Sequence, residues 1–280
     1  MTRVAVATCR GEDVDPDSPR LLEALAGEGL EGELCVWDDP QVDWGAFDLC
    51  VVRSTWDYAT RRSHFLDWAR SIEHLFNPYE LIEYSSDKHY LEDLRRAGHQ
   101  VVPSRFCDVG DEPVFPPGPF VVKPCVGAGS IDAERYDERH HEQARRHVAA
   151  LHEARRDVLI QPYVASVDEL GERALIFIDG RLSHAMTKGA MLNVAASSRD
   201  ALYRREQMSL AKAEPDAERC ARDLLGEARF ADLLYARVDL VRVEGGWALM
   251  ELELVEPSLF LAYRPDGARE LARAIARRAA

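Results

Sequence analysis

The feature that most constrains this chain is a hairpin signal near its end. Two apolar runs, about Leu234 to Val243 and Trp247 to Val255, flank Glu244-Gly245-Gly246. A loop of this kind with glycine last suits a type I turn closed by a residue of positive φ, which predicts an antiparallel hairpin pairing Val243 with Trp247. In that register Asp239 lies across from Glu251, and Arg237 across from Glu253. Strand side chains alternate, so Glu251 and Glu253 share one face while Ala248, Met250, Leu252 and Leu254 form a core-like face. Like charges directly opposite one another destabilise a sheet. A hard divalent cation removes that penalty, because Mg²⁺ takes carboxylate oxygens together with substrate phosphates. Three readings follow: Asp239, Glu251 and Glu253 as metal ligands, a solvated acidic face, or an ion pair of Glu253 with Arg237.

Upstream, strands alternate with helices. Arg3 to Cys9, Gly32 to Trp37 and Phe47 to Val52 read as strands, with helices near Pro19 to Ala26 and Arg61 to His74. This predicts a small parallel α/β lobe whose ligands bind beyond the carboxyl ends of its strands. Arg53-Ser54-Thr55-Trp56-Asp57-Tyr58 falls in that place, with Trp56 equally a substrate platform or core. Ser85-Ser86-Asp87 signals the start of a helix that carries Leu91 and Leu94 and stops at Gly98. Pro113, Pro116, Pro117 and Pro119 mark a lobe boundary. Beyond it come a strand at Phe120 to Lys123, a charged helix at Glu138 to Arg155 and a strand at Asp157 to Gln161. A hairpin follows around Asp179-Gly180, formed by Arg173 to Ile178 and Arg181 to Met186. Helices are expected near Asp216 to Phe230 and from about Ala268. Gly189 to Glu214 lacks a clear period, as functional lids and disordered loops do. The expected fold class is α/β with α+β lobes: an N-terminal substrate lobe (1–83), a connecting segment (84–119), a lid subdomain (120–160) and a C-terminal subdomain with the acidic hairpin (161–280).

Charge narrows the partners. A net charge of −14 repels phosphate backbones and anionic membranes, so neither nucleic acid nor membrane is expected as a partner. An anionic substrate needs local basic residues set against that field. Cysteines 9, 35, 50, 107, 125 and 220 form no C-x-x-C pair and have mostly apolar neighbours, which reads as buried free thiols of a reducing compartment. Met1 to Cys9 merges into a strand pattern, and no apolar run approaches the ~20 residues of a membrane span. A cytoplasmic protein is expected, with homo-oligomerisation left open.

Two further pieces bear on phosphate and base binding. Lys123 precedes Gly127-Ala128-Gly129-Ser130, small residues that let backbone N–H groups approach phosphate oxygens. Alone, such a glycine pair is more often only a turn, and the patterns G-x-x-x-x-G-K-[ST] and G-x-G-x-x-G are absent. Ile160-Gln161-Pro162-Tyr163-Val164 stops a strand at proline and exposes backbone groups to a base edge. Asp168 or Glu172 follows as a carboxylate for ribose hydroxyls.

In this order the pieces resemble the ATP-grasp superfamily from about Ser86 onward. The resemblance implies that Lys88, from Asp87-Lys88, and Lys123, from Val121-Val122-Lys123-Pro124, contact ATP phosphates under a lid at Gly127, Ala128, Gly129 and Ser130. It implies adenine at Gln161, Tyr163 and Val164, ribose at Glu172, and metal at Asp239, Glu251 and Glu253. Glutamate at 253 replaces the family's asparagine and adds negative charge. Glutathione synthetase is similar in spacing: its Glu-x-Asn-x-x-x-Pro matches Glu251 to Pro257, and its Asn-x-Ala-Ala-x-x-Arg matches Asn193 to Arg199, with Lys188 just before. Arg53 to Tyr58, Gly171-Glu172, Ser183 to Lys188 and Glu251 to Phe260 look most like the cycloserine synthetase group.

What the resemblance implies is a ligase that uses ATP and one or two Mg²⁺ ions, with Mn²⁺ as an alternative. It would activate a carboxylate as an acyl phosphate and join it to a nitrogen of an amino-acid-like substrate. Lys188, Asn193 and Arg199 would serve transfer, while Arg53, Ser54, Thr55, Trp56, Asp57, His184 and Ser258 would hold substrate. The cycloserine synthetase match points to ring closure of O-ureidoserine. The alternatives are an intermolecular dipeptide-type ligase and a silent ATP-binding module. His140, His141, His147 and His152 read as a solvated helix face, and Arg204-Arg205 as an exposed loop pair.

Overall fold

The structure is a computed structural model and describes residues 1–11, 15–189 and 208–279. Its first lobe is a parallel sheet in the order β2-β1-β3-β4, made of β1 (Arg3–Thr8), β2 (Glu31–Val36), β3 (Leu49–Ser54) and the short β4 (Leu75–Phe76). Alternation sorts its side chains. Val4, Val6, Leu49 and Val51 pack with helix α1 (Ser18–Gly27), while Ala5, Ala7, Cys50 and Val52 pack with Trp37 and with Phe65 of helix α2 (Arg62–Ser71). The third strand runs two residues further than Val52, so Arg53 and Ser54 are strand residues; a 3₁₀ turn at Trp56–Thr60 follows.

Helices α3 (Tyr79–Ser85) and α4 (Tyr90–Arg96) lead to two antiparallel sheets. The smaller has the order β5-β8-β6-β7, from β5 (Arg105–Cys107), β6 (Phe120–Pro124), β7 (Glu134–Tyr136) and β8 (Val158–Pro162). Helix α5 (His141–Glu153) closes it, and Phe120, Val122, Val148 and Ile160 give this sheet a core of its own. Beyond it lies the short helix α6 (Ser166–Leu170). The larger sheet, β11-β10-β9-β12-β13, comprises β9 (Glu172–Ile178), β10 (Arg181–Lys188), β11 (Met208–Ala211), β12 (Tyr235–Val243) and β13 (Gly246–Glu253). Helices α7 (Pro215–Leu225) and α8 (Gly267–Arg278) cover it.

Several expectations change. β4, β5, β7 and β11 were not foreseen; strands of two to four residues leave little period to read. The smaller sheet draws β5 from the stretch expected as connector. The helix expected at 216–230 ends at Leu225, with a separate 3₁₀ turn at Ala228–Phe230. The expected helix at 138–155 opens as a 3₁₀ turn. Its histidines are half-buried rather than solvated: Tyr136 meets His147 at 3.1 Å, and His152 meets the Cys107 carbonyl at 3.1 Å. Cys9 and Cys220 are half-buried, not buried, and all six cysteines are free.

The hairpin β12–β13 differs from its expected register at the tip. Val243 pairs with Gly246, not Trp247, so the loop is Glu244-Gly245. A β-bulge between Asp239 and Leu240 then takes up the extra residue, and Asp239↔Glu251 and Arg237↔Glu253 stand as expected. The bulge also switches faces. Trp247, Leu249, Leu252 and Leu254 share the core, whereas Ala248 and Met250 pack on a separate small cluster with Val102 and Val167.

The parallel lobe is stitched to the larger sheet by Asn77, which is fully buried. Its amide donates to the Tyr235 and Leu254 carbonyls (2.9 and 2.7 Å) and accepts from the Leu234 N–H at 2.8 Å. The Tyr235 hydroxyl donates to the carbonyls of Val52 and Val255.

Candidate active site

All three sheets line one cavity of about 570 Å³. The smaller sheet contributes Lys123 at the end of β6, Gln161 in β8, and the turn Gly127 to Ser130. Gly129 has φ +62°, a conformation that glycine adopts without strain. The larger sheet contributes Glu172, Lys188, Arg237, Glu251 and Glu253, and the parallel lobe contributes Trp56 and Tyr58.

The charges form an interlocked network. Lys188 is paired across β9–β10 with Glu172 (3.2 Å) and reaches Asp239 on β12 (2.9 Å). Arg237 donates to both oxygens of Asp239 (3.0 and 3.1 Å) and also to Glu253. Lys88 donates to Glu251 (3.0 Å) and to the Gly127 carbonyl (3.2 Å), and Lys123 lies 3.5 Å from Glu251. Burial opposes charge on Lys88, but Glu251 outweighs it and raises the lysine's pKa. Burial likewise opposes charge on Asp239 and Glu251. Arg237 and Lys188 nevertheless hold Asp239 below its usual range, and Lys88 with Lys123 does the same for Glu251. Glu253 and Glu256 go the other way. Burial, with the Asp239 and Glu251 charges, pushes Glu253 up to about 7 against the opposing pull of Arg237. Burial and Glu253 push Glu256 up to about 8.

This donor set fits a hard divalent cation. The oxygens are carboxylates, and at Glu253 and Glu256 burial leaves negative charge undercompensated. In this structure Lys88 and Lys123 pair with Glu251, and Arg237 with Glu253, the positions a cation would take. Of the readings of the hairpin, the Glu253–Arg237 pair is formed, and it lies inside the cavity rather than on a solvated face. Among the described residues, the three-residue set with ligand atoms within 4.8 Å of one another is Asp87, His89 and Cys125, outside the cavity lining.

The other expected site residues divide sharply. Gly127, Ala128, Gly129, Ser130, Gln161, Tyr163, Val164, Glu172, Trp56 and Ser258 line the cavity. Gln161 is held by Ser104 at 2.9 Å. The Tyr163 N–H is committed to the Pro119 carbonyl (2.8 Å), and the Val164 carbonyl to the Val167 N–H (3.0 Å). Gly171 lets β9 start against the end of β10: a Cβ there would sit 2.5 Å from the Lys188 carbonyl, and φ is +68°.

Arg53, Ser54, Thr55 and Asp57 do not line the cavity, against expectation. Arg53 is 1 % exposed and bonds Asp15 (3.0 Å) and the Pro257 carbonyl (3.1 Å). Ser54 bonds Thr8 at 2.8 Å, Thr55 is fully buried, and Asp57 accepts from Trp37 at 2.8 Å and from Arg61. Strand β3 simply continues past Val52, so these side chains join the core and the lobe contact. His184 is buried beside Ser183, and its lowered pKa comes from burial. Asp168 lies off the cavity, bonded to the Tyr163 hydroxyl at 2.5 Å. Asn193, Arg199, Arg204 and Arg205 lie outside the described residues. The sequence reading missed Glu256, whose signal was its spacing after Glu251 and Glu253 at the end of the same run.

Residues 4–77 match the family model described as D-cycloserine synthetase DcsG, N-terminal domain. The cycloserine biosynthesis protein DcsG of Streptomyces lavendulae is 37% identical over 289 residues, spanning 95% of this chain and 94% of that protein. The crystal structure of D-cycloserine synthetase DcsG superposes with a TM-score of 0.89 at 35% identity, covering 99% of this chain and 100% of that one. The D-alanine–D-alanine ligase from Bacillus anthracis complexed with ATP shares the fold at a TM-score of 0.71 and 14% identity, covering 100% of this chain and 97% of that one. Carried by the close matches over nearly its whole length, this chain belongs to the cycloserine synthetase family of ATP-grasp C–N ligases.

Proposed function

We propose that the protein closes O-ureidoserine into the cycloserine ring at the expense of ATP, within a reducing cytoplasm. The observation that carries this reading is the single cavity in which Lys88, Lys123 and Lys188 meet Glu172, Glu251 and Glu253, in a chain so similar to a cycloserine biosynthesis protein. The triphosphate lies against Lys88, Lys123 and the backbone of Gly127 to Ser130. Adenine takes the Tyr163 carbonyl and the Val164 N–H, which have no backbone partner among the described residues, unlike the Tyr163 N–H. Glu172 receives the ribose. Asp239, Glu251 and Glu253 would hold one or two Mg²⁺ ions, whose charge lowers the repulsion between the phosphates and the incoming carboxylate.

The chemistry needs position more than covalent help. A substrate carboxylate oxygen attacks the γ-phosphorus and ADP leaves, giving an acyl phosphate. The ureido nitrogen bonded to oxygen then attacks the acyl carbon, phosphate leaves and the ring closes. Loss of the carbamoyl group with one water, as carbon dioxide and ammonia, completes the balance to cycloserine. Lys188 stabilises charge on the transferred phosphate, with Asn193 and Arg199 assigned alongside it from their motif alone. The glycine turn excludes water from the acyl phosphate.

The test is release of ADP and phosphate across an amino-acid panel, with cycloserine measured directly. Release with O-ureidoserine alone supports cyclisation. Release only when two amino acids are present supports an intermolecular ligase. Bound ATP with no release across the panel overturns the enzyme reading.

A further inference from the structure

We infer that Glu256 forms the subsite for the cationic ammonium group of the amino-acid substrate, a claim that rests on the ligase reading above. Glu256 lines the cavity and sits at the carboxyl end of the parallel sheet, where Tyr235 ties the Val255 carbonyl to that of Val52. That edge is where open α/β sheets place their ligands. Trp56 donates from its ring N–H to the Glu256 carbonyl at 3.2 Å, and both side chains border the same space.

Charge pairing singles this carboxylate out. Glu172 has Lys188 at 3.2 Å, Glu251 has Lys88 at 3.0 Å, and Glu253 has Arg237. Among the described residues the Glu256 carboxylate has no ion pair and no side-chain hydrogen-bond partner, only its own backbone N–H. Lys88 and Arg237 are close enough to be felt, but both are engaged with other carboxylates. A half-buried carboxylate beside other carboxylates gains from a cationic partner, and an ammonium ion is the group that an amino acid brings to this cavity. The phosphates of ATP are repelled from this end and drawn to Lys88, Lys123 and the glycine turn.

The experiment is steady-state kinetics of the full chain with ATP and Mg²⁺, using O-ureidoserine and its des-amino counterpart. Wild-type protein should prefer the amine-bearing substrate by about 10- to 100-fold in kcat/KM, the range for a charge-assisted hydrogen bond. Glu256→Gln should erase most of that preference while leaving the KM for ATP and the Mg²⁺ dependence within about twofold, a narrow margin on the same scale. Equal turnover of both substrates by the wild type overturns the subsite without any variant. A shifted Mg²⁺ dependence in Glu256→Gln overturns it in favour of a metal ligand. Equal loss with both substrates and a lowered melting temperature overturns it in favour of a structural role. The two readings fail separately. Wild type inert toward O-ureidoserine sinks the cyclisation, and the ammonium test is then read with whichever amino acid does release phosphate and its des-amino counterpart.

Discussion

Replacing Arg53 by methionine tests whether this arginine binds the lobes together or grips substrate. Its guanidinium is 1 % exposed, faces Asp15 at 3.0 Å and the Pro257 carbonyl at 3.1 Å, and lies over the Tyr235 ring. Methionine keeps much of the volume but leaves Asp15 buried without its cation. Breaking a buried pair from one side costs about 3–5 kcal/mol. For a chain of this length each kcal/mol moves the melting temperature by about 2 °C, so a fall of about 6–10 °C is expected. Adding Asp15→Asn should recover a large part, because the uncompensated charge is then gone. The assay is thermal unfolding of both variants, with the KM of the amino-acid substrate measured well below the transition. An unchanged melting temperature combined with a tenfold rise in KM would refute the reasoning and return Arg53 to the substrate site.

Glu251→Gln removes the carboxylate shared by Lys88 and Lys123 and should abolish turnover with the fold retained; near-normal phosphate release would sink the metal assignment. Gly171→Ala forces a Cβ to within 2.5 Å of the Lys188 carbonyl at positive φ, costing about 2–4 kcal/mol, and an unchanged urea midpoint would contradict it. pH gives a fourth check. Glu253 and Glu256 titrate near 7 and 8 when folded but near 4.5 when unfolded, so the native state keeps protons that the unfolded chain has released. Their contribution is fully present below about 4.5 and is lost as pH rises through 7 to 8. Ligand-free protein should therefore melt lower at pH 9 than at pH 6 from this source. Removing the contribution with Glu253→Gln and Glu256→Gln together should flatten that slope, and an unaltered slope in the double variant would count against it.

The acidic hairpin was legible because antiparallel pairing and alternation act over a few residues. Even there, the tip loop and the bulge erred in opposite senses, and only their sum returned Asp239 to Glu251. A bulge leaves little trace in composition, so the exchange of Met250 and Leu249 between faces could not be read. Lys88, Lys123 and Lys188 were legible through motif order, while their partners became visible only once three sheets met around one cavity. Arg53 misled for a different reason. A charged residue after an apolar strand ordinarily signals solvent or ligand, and here the strand runs on into a lobe contact formed with Asp15 and Pro257, distant in sequence.

The buried amide of Asn77 and the hydroxyl of Tyr235 have a mechanical consequence. They rivet the parallel sheet to the five-stranded one, while the sheet bearing Lys123 and the glycine turn keeps a self-contained interior. Two sheets are thus locked into one unit that carries Trp56, Glu251 and Glu256, and the third meets it across the cavity as a separately packed piece.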